Sequence, residues 1–91
     1  MNAAAAMLAI LRREGVRYLF GNPGTTELTF LDALPDSGLD YVLGLQEATV
    51  VGMADGYAQA TGRPAFVNLH TSAGLGNAIG HLTNARANRS P

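Results

Sequence analysis

Short β-favouring runs alternate with longer helical runs along this chain, and that alternation limits its fold more than any other feature. The strand-like runs are VRYLF (16–20), LDYVLGL (39–45) and AFVNL (65–69). Each run is followed by a turn signature and then by apolar residues at helical spacing. The order α-βα-βα-βα predicts an α/β fold, in which a parallel sheet is flanked by helices through right-handed crossovers.

Four helices are predicted, and most have a recognisable stop signal. They cover 3–14, a stretch from Thr25 or Thr26 as the cap to Leu34, 46–61, and 77–88. Gly15 and Gly62 follow the first and third helices as stops, and Pro35 ends the second. The segment HTSAGLGN, 70–77, is predicted to be a glycine-rich turn that leads into the last helix.

Composition excludes several classes of protein. With 47% hydrophobic and 14% charged residues, the chain has the balance of a globular domain and not of a disordered tail. A net charge of −1 gives no electrostatic argument for a nucleic acid or a membrane as partner. The absence of cysteine excludes disulfides and thiolate metal sites. No apolar run is long enough to span a membrane and no export signal is recognisable, so we expect a cytoplasmic protein.

Side chains capable of chemistry follow all three predicted strands. They are Thr25, Thr26, Glu47, His70 and Asn77. Because the carboxyl ends of parallel strands meet at one edge of a sheet, we expect these side chains to converge there. No metal site is predicted, since the two histidines, His70 and His81, are eleven residues apart across a turn and a helix.

Each of these residues also has a purely structural interpretation. Glu47 falls in the first turn of a predicted apolar helix, where a carboxylate interacts favourably with the helix dipole, although charges usually avoid apolar neighbours such as Val50 and Val51. A histidine at a strand end is often only a hydrogen-bonded structural residue. The segment GLGNAIG, 74–80, resembles the dinucleotide fingerprint, but its glycine spacing is one residue too long. A dinucleotide site is therefore a weak alternative.

Three segments taken together resemble a known family. FGNPGTTEL, LQEATVVGMADGYAQATGRPAF and NLHTSAGLGNAIG look like the N-terminal, pyrimidine-binding domain of thiamine-diphosphate-dependent enzymes, over residues 5–91. The combination of GNPG with NLH resembles the benzoylformate decarboxylase branch most closely. Acetolactate synthases usually carry a different residue in place of His70, with a Gly-Pro-Gly turn after it.

The resemblance implies roles for individual residues. The glutamate that matches Glu47 hydrogen-bonds N1′ of the cofactor's aminopyrimidine ring and favours the tautomer that removes the proton from thiazolium C2. His70 matches a histidine that transfers protons to and from substrate-derived intermediates. Thr25 lies where that branch has a serine contacting the substrate carboxylate, so the pocket is expected to differ in shape. The resemblance also implies further residues around the cofactor, namely Asn22, Pro23 and Gly24 near the reacting centre and Gly74 and Asn77 near the pyrimidine.

The resemblance further implies parts that these residues do not contain. In the family, the diphosphate and its Mg²⁺ bind a separate domain, and the active site forms between the subunits of a homodimer or homotetramer. We therefore expect residues 1–91 to be a partial pyrimidine-binding domain of a thiamine-diphosphate-dependent 2-oxo acid decarboxylase, inactive alone. Two alternatives remain open: an acetolactate-synthase-like carboligase, and a non-catalytic truncated module that binds another chain through its sheet edge.

Overall fold

A three-stranded parallel sheet forms the centre of the protein in a computed structural model, which describes residues 2–91. The strands are β1 (Tyr18–Gly21), β2 (Asp40–Leu43) and β3 (Phe66–Asn68), arranged in the order β2-β1-β3. The helices are α1 (Ala3–Arg13), α2 (Leu28–Asp32), α3 (Glu47–Thr61) and α4 (Thr71–Ala87), with a 3₁₀ turn at Thr25–Glu27. The predicted α/β fold with a parallel sheet is confirmed.

The central strand β1 is buried on both faces because helices cover the sheet from two sides. Leu19 packs with Leu8 of α1 and with Leu39, while Phe20 packs with Val50 and Ala54 of α3. The register continues this division across the sheet, with Tyr41 and Phe66 beside Leu19 and with Val42 and Val67 beside Phe20. Alternate residues of each strand therefore serve opposite apolar layers.

Helix α4 begins earlier than the sequence predicts. The predicted glycine-rich turn over 70–77 is wrong, because α4 is helical from Thr71 onward and packs along α3. Glycine lowers helix propensity by about 1 kcal/mol relative to alanine, which misled the sequence interpretation. Gly74 is buried in this helix, so packing between α3 and α4 overrides local propensity there. The position of the glycines inside a helix also removes the phosphate-binding turn that a dinucleotide site requires.

The start of the second helix also differs from the prediction. A 3₁₀ turn whose N-cap is Gly24 precedes the short helix α2, and the N-cap of α2 itself is Glu27 rather than Thr25 or Thr26. The backbone N–H of Gly24 donates to Glu27 Oε2 at 2.8 Å, so the glutamate side chain satisfies the end of the turn. The threonine side chains are thus released from capping.

The two glycines that were predicted to stop helices do follow the ends of α1 and α3. Gly15 and Gly62 have φ values of +93° and +69°, in the left-handed region that glycine adopts without strain. Within residues 2–91, no helix is both long and apolar enough to cross a membrane.

Candidate functional site

Two neighbouring residues at the start of α3 divide the tasks of capping and chemistry. The side chain of Gln46 accepts hydrogen bonds from the backbone N–H groups of Ala48 at 2.6 Å and Thr49 at 3.4 Å. These bonds satisfy two of the free backbone N–H groups at the helix N-terminus. Glu47 is therefore not needed as a cap, and it is buried, with 8% of its surface exposed. Glu47 lies in the first turn of α3, so its expected interaction with the helix dipole is compatible with this arrangement.

The carboxylate of Glu47 lies against the first turn of α4. A Cβ atom built at Gly74 would lie 2.8 Å from Glu47 Oε2 and 3.2 Å from its Cδ. Among residues 2–91, no side chain or backbone group hydrogen-bonds this carboxylate, yet no fully enclosed polar side-chain atom lacks a partner. The oxygens of Glu47 thus keep some access to the exterior and retain unused hydrogen-bonding capacity. A carboxylate in such a position is suited to a ligand that donates to it.

His70 forms a second group of contacts at the same edge of the sheet. Its Nδ1 atom lies 2.9 Å from both Glu27 oxygens and 3.1 Å from Thr26 Oγ1. His70 ends the loop after β3, and Glu27 ends the turn after β1, so neighbouring strands bring them together. The backbone N–H of Gly74 donates to the His70 carbonyl, so His70 and the Gly74 that Glu47 contacts are one helical turn apart.

The partners of Nδ1 determine which nitrogen of His70 remains free. An ionised carboxylate only accepts hydrogen bonds, so Nδ1 carries a proton and donates it to Glu27. In the neutral ring Nε2 then has a free lone pair that can accept a proton. The hydrogen bond from His70 holds the pKa of Glu27 below its ordinary value, with help from Gly24 N–H, while burial opposes the shift.

The backbone on both sides fixes the direction of the imidazole ring. A Cβ atom at Gly24 would lie 2.6 Å from His70 Nε2, so the ring rests directly on the glycine backbone. Thr71, the next residue in the chain, has a φ of +59°, which is rare for a β-branched residue. Such strain persists only where the surroundings impose it, and it often occurs at functional sites.

Of the five side chains expected to converge, Thr26, Glu47 and His70 form contacts, in two separate groups. One joins Thr26, Glu27 and His70, and the other joins Glu47 and Gly74. Glu27 was not predicted as a site residue, although its position three residues after the cap is a capping-box signal.

The other predicted site residues form no side-chain bonds to these groups within residues 2–91, and Asn77 lies inside α4 rather than at the end of the predicted turn. Asn22 and Pro23 are half-buried in the loop after β1. Thr25 and Asn77 are exposed, and within residues 2–91 neither side chain forms a hydrogen bond. No group of three or more His, Asp or Glu side chains in that range could hold a metal ion.

Comparisons with known proteins give consistent relatives. The family described as "Thiamine pyrophosphate enzyme, N-terminal TPP binding domain" matches residues 1–91. The chain is 58% identical over 87 residues to the benzoylformate decarboxylase of Pseudomonas aeruginosa, covering 96% of this chain. It is 36% identical over 92 residues to the acetolactate synthase large subunit of Haemophilus influenzae, covering 100% of this chain.

A solved structure agrees with these relatives. The thiamine diphosphate-dependent 4-hydroxybenzoylformate decarboxylase of Rhodococcus jostii superposes on 99% of this chain with a TM-score of 0.88 and 46% identity. The chain spans only 16% of the length of each of the two relatives by sequence, and 17% of the solved structure.

Proposed function

Because the chain belongs to the thiamine pyrophosphate enzymes, matching their N-terminal TPP binding domain over its whole length, we propose that it contributes the cofactor-activating part of a 2-oxo acid decarboxylase. The single observation that carries this proposal is the buried Glu47 carboxylate, which has no partner among residues 2–91. The benzoylformate decarboxylase of P. aeruginosa, 58% identical over 87 residues, supports a benzoylformate-type substrate.

The surroundings of Glu47 fit the pyrimidine end of thiamine diphosphate. A buried carboxyl group has the chemistry to share a proton with ring atom N1′, and the missing side chain at Gly74 leaves room beside it. When bound, the cofactor supplies the nucleophile and the electron sink for decarboxylation. The role of Glu47 is to hold the proton at N1′ and to orient the ring.

His70 is proposed as the group that moves protons at the substrate. Its Nδ1 is held by Glu27 at 2.9 Å, which leaves Nε2 to give and take the proton. Thr25 is proposed to contact the substrate carboxylate through its exposed hydroxyl. Further contacts to the cofactor and the reacting centre are proposed for Asn22, Pro23, Gly24, Gly74 and Asn77.

The rest of the active site is proposed to come from other parts of a homodimer or homotetramer. No metal-binding group of three or more side chains occurs within residues 2–91, so Mg²⁺ and the diphosphate would be held elsewhere. Activity is therefore tested in a complete holoenzyme. A suitable one is a chimera in which this chain replaces the matching segment of the P. aeruginosa benzoylformate decarboxylase.

The test measures hydrogen–deuterium exchange at C2 of the bound cofactor by rapid quench and NMR. Glu47→Gln in the chimera is expected to slow exchange about a hundredfold or more, in the range of general acid–base catalysis. Glu14→Gln is the matched control, because it removes the same charge from a side chain that is 66% exposed. Equal exchange rates in the two variants would disprove the proposed role of Glu47.

A carboligase is the second candidate, supported by the 36% identity to an acetolactate synthase subunit. The His70–Glu27 pair favours decarboxylation, since it leaves a proton-transfer nitrogen free beside the site. Assays of the full encoded polypeptide with benzoylformate and with pyruvate distinguish the two. Release of an aldehyde from benzoylformate supports the decarboxylase, and condensation of pyruvate to acetolactate supports the carboligase.

A further inference from the structure

The hydroxyl group of Tyr41 connects two strands that are not neighbours. Tyr41 belongs to β2, where it pairs in register with Leu19 of β1. Its hydroxyl nevertheless donates to Asn68 Oδ1 of β3 at 3.2 Å. Since β1 lies between β2 and β3, the tyrosine side chain crosses the central strand on the face covered by α1 and α2.

The crossing is possible because β1 ends in glycine. A Cβ atom at Gly21 would overlap the Tyr41 hydroxyl and would lie 3.0 Å from the backbone oxygen of Asn68. Any larger residue would displace the phenol and separate it from Asn68. Only a residue without a side chain at position 21 leaves room for the hydrogen bond between Tyr41 and Asn68.

The bond is anchored at the end of β3, which leads to His70, and it passes over the end of β1, which leads to Glu27. Asn68 is the last residue of β3 and lies two residues before His70. Gly21 is the last residue of β1, and the loop after it leads to Glu27. A change in spacing between these strand ends would therefore be transmitted directly to the contact between imidazole and carboxylate.

The phenol is suited to act as a permanent donor. Burial, followed by the nearby negative charge of Glu27, raises the pKa of Tyr41 to about 12. The hydroxyl therefore remains protonated throughout the neutral range, and its bond to the neutral Asn68 amide does not depend on pH there.

We propose that Tyr41 is a positioning residue, whose bond to Asn68 across Gly21 keeps His70 Nδ1 within reach of Glu27. The inference rests on the proposed function, in which His70 Nε2 exchanges protons with the substrate. It is a role through geometry, because Tyr41 contacts neither ring nitrogen of His70 in the hydrogen-bond network of residues 2–91.

The test uses Tyr41→Phe in the chimeric holoenzyme with Tyr57→Phe as the matched control. Both variants remove one phenol oxygen from a half-buried tyrosine, but the Tyr57 hydroxyl has no hydrogen-bond partner within residues 2–91. Tyr41→Phe is expected to lower kcat about tenfold, less than the hundredfold that a displacement of 1 Å can cost. It should also move the acid limb of the pH profile upward, because a Glu27 released from His70 protonates more readily.

An unchanged pH profile in Tyr41→Phe, or the same shift in Tyr57→Phe, would overturn the proposal. If Tyr41→Phe does not fold, Asn68→Ala removes the acceptor instead and must produce the same shift. A crystal structure of the variant separates this proposal from the proposed function, because it requires neither substrate nor turnover. A distance between His70 Nδ1 and Glu27 that stays below about 3.5 Å would refute the positioning role even in an inactive chimera.

Discussion

Gly74 offers a direct test of whether the position of the Glu47 carboxylate matters to function. In Gly74→Ala, the new Cβ would start 2.8 Å from Glu47 Oε2 and 3.2 Å from both Cγ and Cδ. Ordinary contacts between heavy atoms have their optimum near about 3.5–4.0 Å. The carboxylate must therefore withdraw by roughly 0.5–1 Å, away from the position in which it would meet a ligand.

The expected effect of Gly74→Ala on the reaction rate is larger than its expected effect on stability. Alanine favours a helix over glycine by about 0.5–1 kcal/mol, and the overlap falls on the movable end of a side chain. The two effects oppose one another, so the free energy of unfolding should change by less than about 1 kcal/mol. A misplacement of about 1 Å in a reacting group can cost about a hundredfold in rate, or about 2.7 kcal/mol in the activation free energy. The loss of activity should therefore far exceed any loss of stability.

The assay compares Gly74→Ala with Gly80→Ala on the same helix. A Cβ atom at Gly80 would meet nothing within 4 Å, so this control gains helix propensity without displacing a neighbour. Exchange at C2 of the bound cofactor is measured in the chimera, and urea unfolding is measured on the 91-residue chain. Only Gly74→Ala should lose exchange, by about a hundredfold. If Gly74→Ala exchanged the C2 proton at the wild-type rate, the reasoning would be refuted. The overlap between the new Cβ and the Glu47 carboxylate would then have no effect on activation of the cofactor.

Three further predictions concern stability and strain. Leu8→Ala should lower the free energy of unfolding, measured by urea titration, by about 3 kcal/mol because Leu8 is fully buried. The control Met7→Ala, at a residue that is 41% exposed, should change it by less than about 0.5 kcal/mol. The hydrogen bond from Ser90 lowers the pKa of Asp55, so this carboxylate stabilises the fold above its unfolded pKa of about 3.9 and loses that effect as pH falls through the lower folded value. Asp55→Asn should remove this part of the acid dependence in thermal scans below about pH 5. Thr71→Gly should relieve the strain of a φ of +59° and raise the free energy of unfolding, measured by urea titration, by about 0.5 kcal/mol. The same variant should slow proton transfer, which turnover measurements would show.

The sheet and most helices could be predicted because their signals are local. Alternating apolar runs placed all three strands, with β1 shifted from the predicted 16–20 to Tyr18–Gly21. The start of α4 could not be predicted, because Gly74 is buried by its contact with Glu47, which lies far away in the sequence. Local propensity contains no information about such a distant partner.

The site was predictable in its location but not in its contacts. The rule that parallel strands present their carboxyl ends at one edge correctly placed Thr26 close to His70, whereas Asn77 lies inside α4. The pairing of His70 with Glu27 was missed, because a glutamate in the first turn of a helix already has a sufficient explanation as a cap. The bond from Tyr41 to Asn68 was missed because it crosses an intervening strand, which no sequence periodicity records.

The two glutamates of the candidate site differ in partners, and that difference supports the tasks proposed for them. Glu27 accepts from Gly24 N–H at 2.8 Å and from His70 at 2.9 Å, so its charge is already engaged and its function is to orient the imidazole. Glu47 is buried to a similar degree, but Gln46 has taken over the cap and no group within residues 2–91 bonds the carboxylate. Its oxygens keep access to the exterior and retain unused capacity to accept hydrogen bonds, which supports the proposal of a ligand that donates to them. The same residue type, placed after two neighbouring strands, thus gives one glutamate that is bonded to an imidazole and one that we propose acts on a cofactor.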